Sequence, residues 1–316
     1  MHNTSEVLKQ NDRIIITGQT ATGKTKLAFD FAKKYNGEII NFDARQIYKK
    51  LDIITVKDID KKKDQFFLWK KVQDFEIGYY LKDGMKLWLY DIVFPNQYFS
   101  SFSYVSLCQK VIEKIEKEGK TPILVGGSYF YLKHLLYGFD YEVPPDFSLR
   151  EKLEKLSVDE LQSILKEEKK EFFEALNESD RKNKRRLVRR IEIARYLKKN
   201  PSFEKKEKEG LFYKVEKFLG LRFSDKNLLR KKIEERVKKR IKMGALSEVF
   251  NLLKEGYQPS DFGLKTIGYK QLIPVVLEKK DLNEAISLWI FAEVSYAKRQ
   301  YTFMKKDKNI EWKEIN

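Results

Sequence analysis

The segment from Gly18 to Thr25 fits the phosphate-binding pattern G-x-x-x-x-G-K-[ST] at every fixed position. The isoleucine-rich run Arg13–Thr17 before it predicts a buried strand, and apolar residues after it recur at helical spacing as far as Ala32. A strand, a glycine loop and a helix in this order direct backbone N–H groups at phosphate oxygens. The segment therefore predicts a ligand with phosphate groups. It leaves the reaction open, because kinases, hydrolases and some transferases share the pattern.

The residues of this loop have distinct expected roles. Those expected to surround the phosphate groups are Gly18, Thr20, Ala21, Thr22, Gly23, Lys24 and Thr25. Lys24 supplies positive charge, and the hydroxyl of Thr25 is placed to bind a phosphate-bound Mg²⁺. Mg²⁺ is accordingly the expected cofactor, with Thr25 as its protein ligand.

Composition narrows the class of protein. With 316 residues and 42% apolar content, the chain can bury a sizeable core, and we expect one α/β domain plus a smaller module. Its formal net charge of +17 favours a polyanionic partner such as nucleic acid or an anionic membrane surface, although lysine-rich composition also produces solvated helix faces. Cys108 is the only cysteine and there are two histidines, which excludes a disulfide framework and a Cys/His zinc module.

The hydropathy pattern bears on location. Residues 1–10 are polar and lack the apolar centre of a signal peptide, and no window approaches 18 uninterrupted apolar residues. We therefore expect a soluble, cytoplasmic protein without membrane contact, and we expect a monomer.

Further strands are predicted along the chain. Glu38–Asp43 reads as a buried strand that delivers Asp43 at its carboxyl end, where open α/β sheets bind their ligands. Lys86–Asp91 and Thr121–Val125 are also expected strands, and the second leads into Gly126-Gly127-Ser128 and a helix. Between Leu51 and Gly84 the pattern weakens into an excursion whose shape the sequence does not define.

The expected fold is α/β, a P-loop NTPase-like parallel sheet flanked by helices, with an inserted all-helical domain. The expected domains are residues 1–139 as the first part of the core, 140–210 as an inserted helical domain, and 211–316 as the second part of the core. Strand patterns are missing from the insert, its charge rises, and proline-containing turns mark both of its ends. A capping box opens one of its helices at Ser157, and Arg181–Lys199 predicts a long one. The second part of the core is expected to be a strand, Lys214–Phe223, followed only by helices.

The long helix of the insert has a basic face. On a helical wheel its arginines share one arc and its apolar residues another; the arginines are Arg185, Arg186, Arg189 and Arg190. Guanidinium groups suit phosphate oxygens because each presents two parallel N–H donors. The alternative is an exposed face whose charges pair with glutamates.

Taken in order, these motifs resemble the tRNA dimethylallyltransferases of bacterial type, also called tRNA isopentenyltransferases. The matching segments are Gly18–Thr25, Glu38–Ile40, Asp43–Tyr48, Asp52-Ile53, Val125–Ser128, Asn183–Glu192, Ile267–Leu272 and Tyr296–Gln300. The resemblance covers nearly the whole chain. It implies transfer of a dimethylallyl group from its diphosphate to the exocyclic amine of the adenine just 3′ of the anticodon.

The resemblance also implies residue roles. Asp43 would be the catalytic base, Ser128 would act with it by a hydrogen bond to the diphosphate, and the phosphate loop would hold the leaving diphosphate. The residues implied in tRNA binding are Asp43, Ala44, Arg45, Gln46, Ser128, Arg185, Arg186, Arg189 and Arg190. Ala44 and Ser128 stand where the family usually has serine and threonine, and Val294-Ser295 replaces a usual Thr-Arg.

Several alternatives stay open from the residues alone. Asp43 could cap a helix or act as an outer magnesium ligand. Lys298 and Arg299 could contact RNA phosphate or complement the carboxyl-terminal half of a helix. A P-loop kinase of a small metabolite, using ATP, is the second candidate function, and a GTPase is disfavoured because the sequence has no N-K-x-D motif.

Overall fold

The computed structural model describes residues 12–139, 141, 143–203 and 215–316. The N-terminal residues 1–10 and Lys214, interpreted above, lie outside the described residues, as do the expected domain boundaries at 140 and 210. The chain forms two compact units, residues 137–209 and the remainder. The expected boundaries stay a prediction.

The first part of the larger unit contains six strands and three helices. Its elements are β1 (Arg13–Gly18), α1 (Lys24–Lys34), β2 (Gly37–Asn41), β3 (Gln65–Val72), β4 (Phe75–Lys82), β5 (Met85–Trp88), α2 (Ser101–Lys117), β6 (Thr121–Val125) and α3 (Tyr129–Tyr137). The buried isoleucines of β1 and β2 explain this part of the core, because a strand covered on both faces reads as a continuous apolar run.

The regular elements in the described part of the smaller unit are all helices. Its helices are α4 (Phe147–Leu153), α5 (Val158–Glu174), α6 (Glu178–Arg181) and α7 (Lys184–Lys199). The capping box at Ser157 is confirmed. The helix expected from Arg181 begins only at Lys184, because the Asn183 side chain accepts the N–H of Arg186 and caps α7 there. The apolar arc of α7 packs into this unit's own core of leucines, isoleucines and phenylalanines.

The chain then returns to the larger unit. The remaining elements are β7 (Val215–Phe223), α8 (Lys226–Lys242), α9 (Ala245–Lys254), α10 (Tyr269–Glu278), α11 (Leu282–Met304) and β8 (Glu311–Ile315). The expectation that only helices follow β7 is wrong at β8. This strand is five residues long, too short for its alternating pattern to stand out from charged coil.

One sheet organises the larger unit, in the order β3-β4-β5-β2-β6-β1-β7-β8. From β5 to β8 all neighbouring strands pair in parallel, while β3, β4 and β5 pair antiparallel. The predicted α/β fold with a parallel sheet is confirmed for the central strands. Consequently β1, β2 and β6 all end at the same edge of the sheet.

The excursion between Leu51 and Gly84 contains the β3–β4 hairpin. Residues of β3 are exposed on both faces at the sheet edge, so no apolar alternation marks the strand. The strand expected over Lys86–Asp91 ends at Trp88, because Leu89 and Asp91 adopt positive φ angles of 62° and 53°. Within the described residues, none of the helices combines the length and low charge needed to cross a bilayer.

Gly18 and Gly23 give a matched stability test. Gly18 has φ +130° and a Cβ there would lie 2.0 Å from the Leu221 carbonyl oxygen, whereas Gly23 has φ +79° with open space around it. We expect Gly18→Ala to lower the free energy of unfolding by about 3 kcal/mol or more, since β1 and β7 must separate. Gly23→Ala should cost about 1–2 kcal/mol from its φ alone. Thermal melting of both variants checks this, and equal losses would contradict the account of β1–β7 packing.

Candidate active site

A cavity of about 480 Å³ opens at the edge of the sheet where β1, β2 and β6 end. Its walls come from the phosphate loop, the segment after β2, the loop at residues 54–58, and the faces of α8 and α11. All of these belong to the larger unit. Among the predicted residues, those that line the cavity are Thr20, Ala21, Gly23, Lys24, Thr25, Asp43, Arg45 and Gln46. Gly18, Thr22, Ala44 and Ser128 do not line it.

The phosphate loop joins β1 to α1, in the order strand, loop and helix that the sequence predicts. Ala21 and Gly23 both adopt left-handed φ angles, 67° and 79°. Gly23 occupies the cap position of α1 without a side-chain cap, so the first N–H groups of the helix point toward the cavity with no capping oxygen. This helix terminus therefore provides N–H donors and a partial positive charge for an anion.

Lys24 and Thr20 connect the loop to its surroundings. The Lys24 ammonium donates to the Gln19 carbonyl oxygen at 2.6 Å. Its burial, together with the nearby Arg236 guanidinium, lowers the pKa of Lys24 to about 8. Thr20 donates its N–H to Gln300 Oε1 at 3.1 Å, and its hydroxyl oxygen accepts from Arg236 at 2.7 Å. The N–H of Thr20 is thus engaged within the protein rather than directed at a ligand.

Asp43 lies in a tight turn just beyond β2. Its Oδ1 accepts the N–H of Arg45 at 2.9 Å, while its own N–H donates to Asn41 Oδ1 at 2.9 Å. This is an Asx turn, not a helix cap, because the next regular helix is α2. Among the described residues, Oδ2 has no hydrogen-bond partner, and Asp43 lines the cavity. The turn therefore fixes one carboxylate oxygen and leaves the other without a partner among the described residues, at the wall of the cavity.

Ser128 lies behind Asp43 and is buried. Its Oγ accepts the N–H of Ala44 at 2.8 Å. At Gly127, just before it, a Cβ would lie 2.4 Å from Gln300 Nε2 and would displace that amide. Ser128 thus supports the turn that carries Asp43.

Arg45 and Gln46 are both engaged within the protein. The Gln46 amide donates to the carbonyl oxygens of Thr55 and Val56, at 3.2 and 2.8 Å. The Arg45 guanidinium lies 4.2 Å from the centre of the Tyr296 ring and forms an ion pair with Glu293 at 3.3 Å. Gln46 therefore holds the 54–58 loop in place, while Arg45 faces the cavity.

Sequence reasoning missed the cavity faces of two helices. On α8 the lining residues are Lys232, Glu235, Arg236, Lys239 and Arg240, and on α11 they are Glu293, Tyr296 and Gln300. Spacings of three, four and seven residues place each set on one helix face. Basic residues surround most of α8, so its sequence could not show which of them turn inward. Lys298 and Arg299, weighed above, are exposed on the outside of α11.

The four arginines of α7 have different surroundings within the smaller unit. Arg186 is 57% exposed and pairs with Asp180. Arg189 pairs with Glu192 and donates to the Val143 carbonyl oxygen at 2.7 Å, and Arg190 stacks at 5.6 Å over the ring of Phe172. Arg185 is exposed, and no contact of its side chain is found among the described residues. Arg185 and Arg186 are therefore the accessible members.

A family model described as IPP transferase matches residues 46–307. The chain belongs to the IPP transferase family. It is 36% identical over 299 residues to a tRNA dimethylallyltransferase of Hydrogenobaculum sp., covering 93% of this chain and 92% of the relative. The corresponding enzyme of Acetivibrio thermocellus is 32% identical over 301 residues, covering 95% and 90%. The resemblance seen in the sequence is confirmed.

Solved structures agree with this membership. The tRNA isopentenylpyrophosphate transferase of Bacillus halodurans superposes with a TM-score of 0.65 at 26% identity, covering 97% of this chain and 90% of that one. A eukaryotic dimethylallyltransferase acting on tRNA has a TM-score of 0.73 at 24% identity, covering 96% and 73%, and supports the fold. The predicted fold class is confirmed by both comparisons.

The lowered pKa of Lys24 predicts a pH dependence of diphosphate binding. If binding needs the ammonium, affinity for inorganic diphosphate should fall about tenfold from pH 7 to pH 9, because the protonated fraction of Lys24 falls by that factor around a pKa of about 8. Lys24→Met should bind weakly without this fall. Calorimetric titration at both pH values checks it, and an unchanged affinity in the unaltered protein would contradict the assignment.

The same pKa predicts the stability of the ligand-free protein. The folded-state pKa lies below the ordinary value of 10.5, so between pH 8 and 10.5 the unfolded chain holds a proton that the folded protein has lost. The contribution of Lys24 to stability therefore rises with pH across that window. Melting temperatures of the protein and of Lys24→Met are compared at pH 8 and pH 10. From pH 8 to pH 10, the melting temperature of the unaltered protein should rise relative to that of the variant; an unchanged difference would contradict this.

Proposed function

We propose that this protein transfers a dimethylallyl group from dimethylallyl diphosphate to the exocyclic amine of the adenine 3′-adjacent to the anticodon in tRNA. One observation carries the proposal beyond family membership. A phosphate loop and a carboxylate oxygen of Asp43 without a partner among the described residues face the same cavity. Diphosphate release and deprotonation of an amine need these two groups side by side.

The phosphate loop would hold the diphosphate end of the donor. The N–H groups at the start of α1 and the ammonium of Lys24 would bind its oxygens, and Arg236, which reaches the loop through Thr20, would add positive charge. As the carbon–oxygen bond breaks, negative charge grows on the leaving diphosphate. Donors that are already in place stabilise this charge without reorganising.

Asp43 would be the general base. An adenine amine is a poor nucleophile because its lone pair is delocalised into the ring, so its proton must leave as the new carbon–nitrogen bond forms. Asp43 Oδ2 faces the cavity, while Oδ1 is fixed by the Arg45 N–H. The target base would have to leave its stack to reach this position.

Ser128 would support this turn by accepting the N–H of Ala44. Because its oxygen acts there as an acceptor, its hydroxyl proton is available to donate to the diphosphate, the hydrogen bond that the resemblance implies. Arg45 and Gln46 would contact the target loop of the RNA, with Gln46 using the amide oxygen that its two donor bonds leave available.

Mg²⁺ is the proposed cofactor, and Thr25 would hold it. Thr25 lines the cavity, and the described residues contain no group of three or more His, Cys, Asp or Glu side chains suited to a metal ion. One hydroxyl ligand fits Mg²⁺, which keeps several waters and takes its other ligands from substrate phosphates. When bound, it would neutralise charge on the diphosphate.

Arg185, Arg186, Arg189 and Arg190 are proposed to contact tRNA phosphates, with the accessible Arg185 and Arg186 contributing most. We also propose that the protein acts as a monomer. The alternative, an ATP-dependent kinase of a small metabolite, is not favoured, since the curated relatives at 32–36% identity are tRNA dimethylallyltransferases.

A donor-competition assay tests the reaction. Unmodified tRNA is incubated with labelled dimethylallyl diphosphate, and separately with ATP, and label is sought in the RNA. We expect label only from the prenyl donor. Turnover of ATP with no prenylated tRNA would contradict the proposal and restore the kinase.

Asp43→Ala tests the division of roles. We expect the rate of transfer to fall by a factor of about 10³ or more, since the base is lost, while tRNA affinity changes by less than about twofold. Single-turnover kinetics and filter binding measure the two quantities. A comparable loss of tRNA binding would contradict the assignment of Asp43 as base.

Arg186→Ala tests the basic face of α7. We expect weaker tRNA binding and a salt dependence whose slope is reduced by about one, because one phosphate contact is lost. Arg195→Ala is the matched control on the same helix, since Arg195 makes a bidentate ion pair with Glu168. Identical salt slopes for Arg186→Ala and the control would contradict a phosphate contact.

A further inference from the structure

We propose that Glu293 is a positioning residue for tRNA recognition, acting through Arg45; this inference rests on the proposed function. Glu293 lies on α11, and Tyr296 and Gln300 follow it on the same face toward the cavity. Its side chain is only 1% exposed. A carboxylate at such a depth is stable only when its charge is compensated by nearby donors.

Glu293 gathers its donors on one oxygen. Its Oε1 accepts from Arg240 at 3.2 Å, from Arg45 at 3.3 Å and from the Trp289 indole N–H at 3.3 Å. The guanidinium groups of Arg45 and Arg240 hold the pKa of Glu293 below its ordinary value despite burial. The residue is therefore a charged anchor between two arginines at neutral pH.

The two arginines differ in their exposure and in their other contacts. Arg240 is 4% exposed and donates to the Ile54 carbonyl oxygen at 2.8 Å, so this half of the cluster holds the 54–58 loop. Arg45 is 16% exposed and lines the cavity. Its NH1 is held by Glu293 and its plane lies over the Tyr296 ring, which leaves other N–H donors of the guanidinium for a substrate.

Arg45 also lies in the turn that carries the catalytic carboxylate. Its backbone N–H donates to Asp43 Oδ1 at 2.9 Å. Glu293 thus fixes the guanidinium of a residue whose backbone belongs to the Asp43 turn. A long side chain fixed in advance loses less conformational entropy when RNA binds.

The direction in which tRNA affinity changes when Glu293 loses its charge distinguishes a positioning role from a general electrostatic effect. Removing a negative charge from a cavity that receives a polyanion should strengthen binding through the net field alone. A positioning role predicts the opposite, because Arg45 loses its anchor. Glu235 offers a matched charge control: it lines the same cavity, is 52% exposed, and pairs with Lys232 on its own helix.

Glu293→Gln keeps the shape of the side chain and removes its charge. We expect the affinity for unmodified tRNA, measured by filter binding, to fall about tenfold, while affinity for dimethylallyl diphosphate changes less than about twofold. Glu235→Gln should leave tRNA affinity unchanged or slightly stronger. Tighter tRNA binding by Glu293→Gln, or an equal loss in both variants, would overturn the inference.

A double-mutant cycle tests whether Glu293 acts through Arg45. If it does, the variant carrying both Glu293→Gln and Arg45→Ala binds tRNA no more than about twofold more weakly than Arg45→Ala alone. Additive losses would overturn the inference. Binding is read without turnover, so an unaltered protein that binds tRNA but never prenylates it would refute the proposed reaction and leave this test intact.

Arg45→Ala alone covers the case in which Glu293→Gln does not fold, as judged by thermal melting. It removes the guanidinium that Glu293 holds and keeps the Glu293–Arg240 pair. We expect a loss of tRNA affinity of similar size, again about tenfold. Unchanged tRNA affinity in this variant would overturn the inference.

Discussion

The site depends on the convergence of three parallel strands at one edge of the sheet. Because β1, β2 and β6 run the same way, the phosphate loop after β1, the Asp43 turn after β2 and the glycine pair after β6 meet around one cavity. The Gln300 amide packs against Gly127 there, at a distance that an added Cβ would not allow. A donor's phosphate end and an attacking amine can then be held within one small volume.

Charge is arranged around that volume in a consistent way. The start of α1, Lys24 and the basic face of α8 make the phosphate side of the cavity positive. Burial and the nearby Arg236 guanidinium lower the pKa of Lys24, so a bound anion stabilises its protonated form. The carboxylates have separate roles. Asp43 keeps one oxygen toward the cavity, while Glu293 is enclosed by arginines. In this account, the first moves a proton and the second holds side chains in position.

Much of this could be predicted from the sequence, and the limits have physical causes. The phosphate loop, the strand ending near Asp43 and the apolar arc of α7 depend on local periodicity, which a sequence displays directly. The β3–β4 hairpin and β8 lie at sheet edges, where strands need little apolar patterning. The inward faces of α8 and α11 depend on tertiary contacts. Gln46 shows the same limit, since its bonds to Thr55 and Val56 arise only from the folded loop.

The central claim is that the phosphate loop and the Asp43 carboxylate serve one reaction, in which diphosphate leaves only as the adenine amine attacks. A single-turnover experiment that counts released diphosphate and prenylated adenosine together, with and without tRNA, measures this most directly. The account predicts one diphosphate for each modified adenosine and essentially none without tRNA. Release of diphosphate at the same rate in the absence of tRNA, or release without modified adenosine, would contradict it.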